Sequence, residues 1–327
     1  MCTVADYFAS VLTGKPPVMD LSMAHSLGCL NGTSTGWDMG YLDRLGIKGS
    51  VLPPLAEPAS IAGKCLPDPP GPAPGSPVPV SAALGDNQAS FIGSVSNLDS
   101  TILINIGTGA QISLALRDDG PVIADGYDLQ KRPFVEDRIL LAGGSLAGGA
   151  VYAALKDFFA RTGRELFGID GIKDAEIWKK MEEIALRALR EGAGSEAEGL
   201  VVTPLFAGKR SSPQARGTIE RVSLENFTPA NLIKEILLGM VRVLGDMIDQ
   251  SLLAERPFLV GSGNAIRRNE ALRACAERVF GKKLRIPKME EEAVVGAALA
   301  GAVGCKVFPD FGGACSLVRY NVQGDTP

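Results

Sequence analysis

Seven prolines fall within "LPDPPGPAPGSPVPV", Leu66 to Val80. Proline fixes φ and carries no backbone N–H, so this stretch can be neither a helix nor a central strand. It reads as an extended connector. The 327-residue chain therefore divides there, into residues 1–77, ending in the connector, and residues 78–327. That length is enough for two ordinary domains, and it can bury a core without staples.

Bulk chemistry excludes several classes. Hydrophobic residues make up 46% of the chain and charged residues 21%, a normal globular balance. Net charge is -4 and no Lys/Arg run stands out, which argues against nucleic acid or a membrane surface as partner. The six cysteines form no C-x-x-C pair and read as free thiols of a reducing, cytoplasmic setting. No apolar run approaches the roughly 18–20 residues of a membrane span, and the N-terminus lacks a basic leader region. The one histidine, His25, excludes His-rich metal sites and disfavours a Ser-His-Asp or Cys-His machine. It lies in polar "DLSMAHSLG" and reads as a surface or supporting residue.

Along the chain, strands alternate with helices. Val4 to Leu12 reads as a helix ended by Gly14, and Asp20 to Tyr41 as loop. "WDMGYLDRLGI" gives a short helix ending near Gly46. "VPVSAALGD" reads as a strand that ends on Asp86, followed by a short helix from Gln88 to Val95. "TILINIGTGAQISLAL" is two β-branched runs joined at Gly107-Thr108-Gly109, a hairpin. "RILLAGGSLAGGAVYAALKDFFART" is strand, Gly-rich turn and helix, and Ala175 to Arg190 is an amphipathic helix. "FTPANLIKEILLGMVRVLGDMIDQSLLAE" reads as the longest helix, opened by Thr228 and Pro229. "RPFLVGSGNAIRRNEALRACAERVFG" is strand, glycine turn and helix. "KKLRIP" is a strand and "EEEAVVGAALAGAVG" a helix. The pattern predicts an α/β protein with a mixed sheet.

Three stretches carry chemistry. A carboxylate at a strand end, as predicted for Asp86, can take a proton from a hydroxyl as its oxygen attacks; equally, it can close an Asx-turn. Gly107-Thr108-Gly109 lets backbone N–H groups and a hydroxyl approach a phosphate, or is an ordinary turn. "VGSGNAIRRN", Val260 to Asn269, places glycines between strand and helix, as nucleotide sites do. It lacks the third glycine of a Rossmann fingerprint, and the chain has no P-loop motif.

The order of these stretches resembles the C-terminal domain of the FGGY carbohydrate kinases. "GDNQA" (Gly85 to Ala89) is similar to the element that holds the family's catalytic Asp. "IGTG" is similar to its phosphate turn, with Ile106 in place of the aromatic residue. "PLFAGKR" (Pro204 to Arg210), "ARG" (Ala215 to Gly217), "GSGNAIRRN" and the helix Glu291 to Ala298 match its remaining elements. "VADYFASVLTGKPPVMD" and "LPPLAEPASIAGK" resemble the sedoheptulokinase branch.

The resemblance implies an actin-like ATPase (ribonuclease H-like) fold, with the C-terminal domain complete and the N-terminal domain only partial. Residues 1–77 would be the tail of the sugar-binding domain and residues 78–327 the nucleotide-binding domain. It implies ATP-dependent phosphorylation of a ketose, sedoheptulose to sedoheptulose 7-phosphate. Asp86 would be general base, with Asn87 and Gln88 near the sugar or the metal's waters. Gly107, Thr108, Gly109, Gly208, Gly261, Gly263, Asn264 and Arg267 would hold ATP. Mg²⁺ would arrive with ATP, reached by Asp86 only through water. Lys209 and Arg210 read as phosphate contacts or, by preference, as a solvated face. The family's opening Asp-x-Gly-Thr hairpin is not matched. A fragment, a dimer or second chain supplying the missing half, and a non-catalytic nucleotide- or sugar-binding module all fit that pattern. An N-terminal tail of this kind is expected to expose apolar surface.

Overall fold

The computed structural model describes residues 1–32, 35–66, 77–117, 128–146, 148–191 and 199–321. Most of the proline connector, 67–76, lies outside them. Ahead of it, α1 (Val4–Thr13) opens on a reciprocal cap. Thr3 Oγ1 accepts from Asp6 N at 3.2 Å, and Asp6 Oδ2 accepts from Thr3 N at 3.0 Å. Gly14 ends the helix at φ 64°. Val4, Tyr7, Phe8 and Val11 share the i, i+3, i+4, i+7 stripe of α1 and are all exposed, Val4 to 87%.

The stretch predicted as loop holds structure. β1 (Met19–Asp20) leads directly into α2 (Leu21–Ser26), because the Asp20 carboxylate caps Ser22 N at 2.7 Å. α3 (Met39–Arg44) is capped by Asp38 and stops before Gly46. β2 (Leu55–Ala56) pairs with β1 in parallel. β3 (Ile61–Lys64) pairs antiparallel with β4 (Pro79–Ser81), so these two strands meet across the connector and across the 77/78 boundary. β4 ends at Ser81, five residues short of the strand end predicted at Asp86. Asp86 is instead the first residue of α4 (Asp86–Ser94).

A six-stranded mixed sheet follows. β5 (Thr101–Ile106) and β6 (Ala110–Arg117) form the predicted hairpin. β7 (Leu129–Pro133) and β8 (Arg138–Ser145) extend it antiparallel. Helices α5 (Gly149–Phe167) and α6 (Asp174–Glu191) come next. β9 (Val201–Thr203) and β10 (Thr218–Glu220) make a small separate pair. α7 (Pro229–Gly245) and α8 (Gln250–Ala254) replace the single long helix expected from the sequence. The break comes where Asp249 caps Ser251 and starts a new helix, leaving α5 the longest among the described residues. β11 (Phe258–Ser262) pairs in parallel with β5, and after α9 (Asn264–Arg268) and α10 (Glu270–Phe280), β12 (Leu284–Arg285) pairs in parallel with β11. α11 (Glu292–Gly304) and α12 (Phe311–Cys315) close the fold.

Period-two alternation sends each strand's side chains to opposite faces. Ile102, Ile104, Ile106, Ile112, Leu114, Leu141 and Leu259 pack into one core with α5, α6, α7 and α10. Leu103, Ala115, Leu140 and Val260 pack into a second core with α4, α11 and α12. The α4–α11 crossing is a glycine contact. A Cβ on Gly93 would lie 1.9 Å from Glu292 O, and one on Gly296 would lie 1.8 Å from Ala89 O. The helix that begins at Asp86 is thereby held backbone to backbone against α11.

Candidate active site

The β5–β6 turn stands between two clefts. Its carbonyls are taken by the start of α5: Gly149 N donates to Gly107 O at 2.8 Å, and Gly148 N and Ala150 N donate to Thr108 O at 3.0 and 3.1 Å. Thr108 is exposed at the tip. A Cβ on Gly107 would meet nothing within 4 Å, so open space lies above it.

On one side is a polar cleft of about 310 Å³. Gly107, Thr108 and Gly109 line it with Gln111, Arg132 and Arg210. Asp86 is exposed and stands beside this cleft without lining it. Its Oδ1 accepts from Asn87 N at 2.7 Å and from Asn87 Nδ2 at 3.2 Å. Arg132 is the link between Asp86 and the cleft. Burial is the main force lowering its pKa, the Arg210 charge adds to it, and the Asp86 charge opposes it. Burial also lowers the His25 pKa, with Arg132 contributing, so His25 faces the same cluster.

Two connections hold Asp86 in place. Gln88, 3% exposed, donates from Nε2 to Pro133 O at 3.2 Å, tying α4 to the strand that carries Arg132. Gln88, expected near the sugar, is thus buried and helps to frame the site. Ser22 Oγ accepts from Gly85 N at 2.8 Å and in turn donates to Asp20 Oδ1. Asp20 and Ser22 were missed in the sequence. The capping pattern Asp20-Leu21-Ser22 was their available signal. Burial pushes the Asp20 carboxyl up to about 6, and its Oδ2 has no hydrogen-bond partner among the described residues.

On the other side of the turn is a more apolar pocket of about 530 Å³. Gly107 and Thr108 line this one too, with Tyr152, Trp178, Leu272 and Asn264 among the walls. The Tyr152 and Trp178 rings lie 5.2 Å apart. The volume and the mix of aromatic walls with a few amides fit a nucleoside. Gly263 immediately precedes Asn264 of the pocket wall. At φ 88° it passes so close to β5 that a Cβ would lie 2.7 Å from Ile106 O.

The other predicted nucleotide residues fall elsewhere. Gly261 faces Ile266, Leu284 and Ile286 in the core. Gly208, at φ 78°, shapes the loop that presents Arg210. Arg267 turns away, donating to Pro287 O and Met289 O and pairing with Glu292 at 2.5 Å. Its neighbours Arg268 and Asn269 line the pocket instead, because one helical step turns a side chain by about 100°. Arg210 is exposed, as read, and also lines the polar cleft. Among the described residues no group of three His, Cys, Asp or Glu could hold a metal ion, and no helix is long and apolar enough to cross a membrane. All six cysteines are free; Cys29, Cys275 and Cys315 are buried.

Comparison with known proteins shows what this chain is similar to. Residues 1–93 match the N-terminal domain of the FGGY family of carbohydrate kinases. Mouse (Mus musculus) sedoheptulokinase is 27% identical over 311 residues, covering 91% of this chain and 61% of its own length. A xylulose kinase structure from Rhodospirillum rubrum superposes with a TM-score of 0.76 at 20% identity, covering 98% of this chain and 62% of that one. Plasmodium falciparum glycerol kinase with ADP gives a TM-score of 0.72 at 16% identity, over 98% and 61%. The fold is the actin-like ATPase fold of these sugar kinases. The chain thus carries an FGGY N-terminal domain match over residues 1–93 and is sedoheptulokinase-like in sequence. It spans about three fifths of the length of the curated relatives it matches (61% for the mouse protein).

Proposed function

We propose that this chain carries the phosphoryl-transfer site of an ATP-dependent ketose kinase acting on sedoheptulose. The observation that carries the proposal is the turn shared by both clefts: Gly107 and Thr108 line the apolar pocket and the polar one alike. A nucleoside in the first would direct its phosphates over the open face of Gly107 into the second. Asp86 waits beside that second cleft. The sugar hydroxyl gives its proton to Asp86 as its oxygen bonds to the terminal phosphorus of ATP. The bond from that phosphorus to the bridging oxygen breaks and ADP leaves. General-base help of this kind contributes about 10²–10⁴-fold. Positioning and charge neutralisation supply most of the remainder.

Asn87, half-buried beside Asp86, is the residue we place nearest the sugar. Asn264, Asn269 and Trp178 would hold the nucleoside. Mg²⁺ would enter with ATP and screen its phosphates, with Asp86 facing it through water. We assign residues 1–77 to the sugar side and 78–327 to the nucleotide side, in a cytoplasmic enzyme. Both clefts are lined from the second segment, while Asp20, Ser22 and His25 come from the first. The name of the mouse and human relatives, sedoheptulokinase, supports the choice of sugar.

The test is ADP release from Mg-ATP with and without sedoheptulose, beside Asp86→Asn. Release that needs the sugar and falls by about 10²-fold or more in the variant supports the kinase. ADP binding with no release would point instead to a nucleotide-binding module.

A further inference from the structure

The polar cleft contains two guanidiniums for which the reading above has no role. Arg132 sits on β7 and Arg210 on the loop after β9, and both line the space reached from Gly107, Thr108 and Gly109. Each is held through its backbone. The strand carrying Arg132 is pinned to α4 by the Gln88–Pro133 hydrogen bond. Lys209, next to Arg210, bridges to Ser145 at the end of β8.

Among the described residues neither charge has an ion-pair partner. Arg132 Nη2 donates to a neutral acceptor, Gln130 Oε1, at 3.0 Å, and Arg132 Nε has no hydrogen-bond partner among the described residues. The Asp86 charge favours the charged form of Arg132, while the two guanidiniums disfavour each other. Arg210 also lines a neighbouring space beside Asp128. Two cations facing one polar space are relieved by an anion between them. Guanidinium groups suit a phosphate because their planar forks donate in pairs to its oxygens.

We propose that Arg132 and Arg210 form a two-guanidinium clamp on the phosphoryl group as it passes from the nucleotide to the sugar. This rests on the kinase reading and adds the groups that neutralise the group in transit. As the phosphorus–oxygen bond to ADP breaks and the bond to the sugar oxygen forms, negative charge spreads over the phosphoryl oxygens. Fixed donors aimed there lower the barrier. Arg132, lying near Asp86, also offsets the repulsion between that carboxylate and the incoming phosphate.

The test measures binding of ADP, of AMP-PNP and of sedoheptulose 7-phosphate, all with Mg²⁺, to the full chain. It is repeated on Arg132→Gln and Arg210→Gln, and on Arg132→Lys and Arg210→Lys, which keep the charge and lose the fork. Thermal unfolding checks that each variant is folded. The clamp predicts that the chain binds AMP-PNP at least tenfold tighter than ADP. Each Gln variant loses about tenfold or more of that advantage, while its ADP affinity stays within twofold. The Lys variants fall between. If the chain binds no ADP, the kinase reading fails and takes the clamp with it. If ADP binds but AMP-PNP gains nothing, or the variants keep the gain, the clamp is wrong and the kinase reading stands. If folded variants lose ADP as well, the arginines hold the diphosphate and the assignment is overturned. If only sugar phosphate binding depends on them, they serve the product and it is likewise overturned.

Discussion

The two clefts that meet at Gly107 and Thr108 are built in opposite ways. The apolar pocket is walled by α5, α6, α7, α9 and α10, all packed into one core on one face of the sheet. The polar cleft and its surroundings draw on separate places: Asp86 on α4, Arg132 on the edge strand β7, Arg210 on a loop, and His25 on α2. A nucleoside pocket needs shape, which a packed core supplies and keeps. A phosphoryl-transfer cleft needs charges of both signs close together and unpaired. A core disfavours that arrangement, so it is assembled at the boundary between elements.

Three substitutions test this division. Arg267→Met should touch neither cleft and still have the largest effect on stability. It leaves Glu292, which is 7% exposed, buried without its partner. Breaking such a pair costs about 3–5 kcal/mol. Urea unfolding should show the loss, with ADP affinity in the folded protein unchanged within twofold. Weakened ADP binding would return Arg267 to the nucleotide site where the sequence placed it.

Asp20 reaches only the polar side. Its carboxyl is raised by burial from 3.8 to about 6 in the folded chain, so the folded state holds the proton more tightly than the unfolded one. Its stability contribution is therefore fully present below pH 3.8 and is lost as pH rises through about 6. The whole interval corresponds to about 3 kcal/mol. Asp20→Asn can keep the cap on α2 and should remove that slope between pH 4 and 7. An unchanged slope would show that Asp20 is not the group responsible.

The smallest effect is expected from filling the apolar pocket. Ala153→Phe adds a ring among the pocket walls and should weaken ADP about tenfold, or about 1.4 kcal/mol. Sugar binding should be untouched. An equal loss of sugar affinity would mean that the two clefts are not separate sites.

The same division explains what was legible in the sequence. β-Branched runs around Gly107-Thr108-Gly109 announced the hairpin, and alternating strands and helices announced the mixed sheet. The apolar spacing of α6 and the glycine after β11 were equally local signals. The polar surroundings were not legible as a unit. Arg132 stands in "LQKRP", an edge strand with no motif, and becomes interesting only when folding brings Arg210 and Asp86 to it. Arg267 and Arg268 are adjacent in sequence but point to different places, which spacing alone did not resolve. Gln88, inside the motif that carries Asp86, is buried because α4 begins at Asp86 and turns Gln88 toward β7.

The most direct test of the account is a crystal structure with ADP and Mg²⁺ bound. The account predicts the adenine beside Trp178, Leu272 and Asn264, with the diphosphate over Gly107 and Thr108 and its open end facing Arg132 and Arg210. Adenine in the polar cleft, or in the separate apolar groove between Phe158 and Phe227, would contradict it.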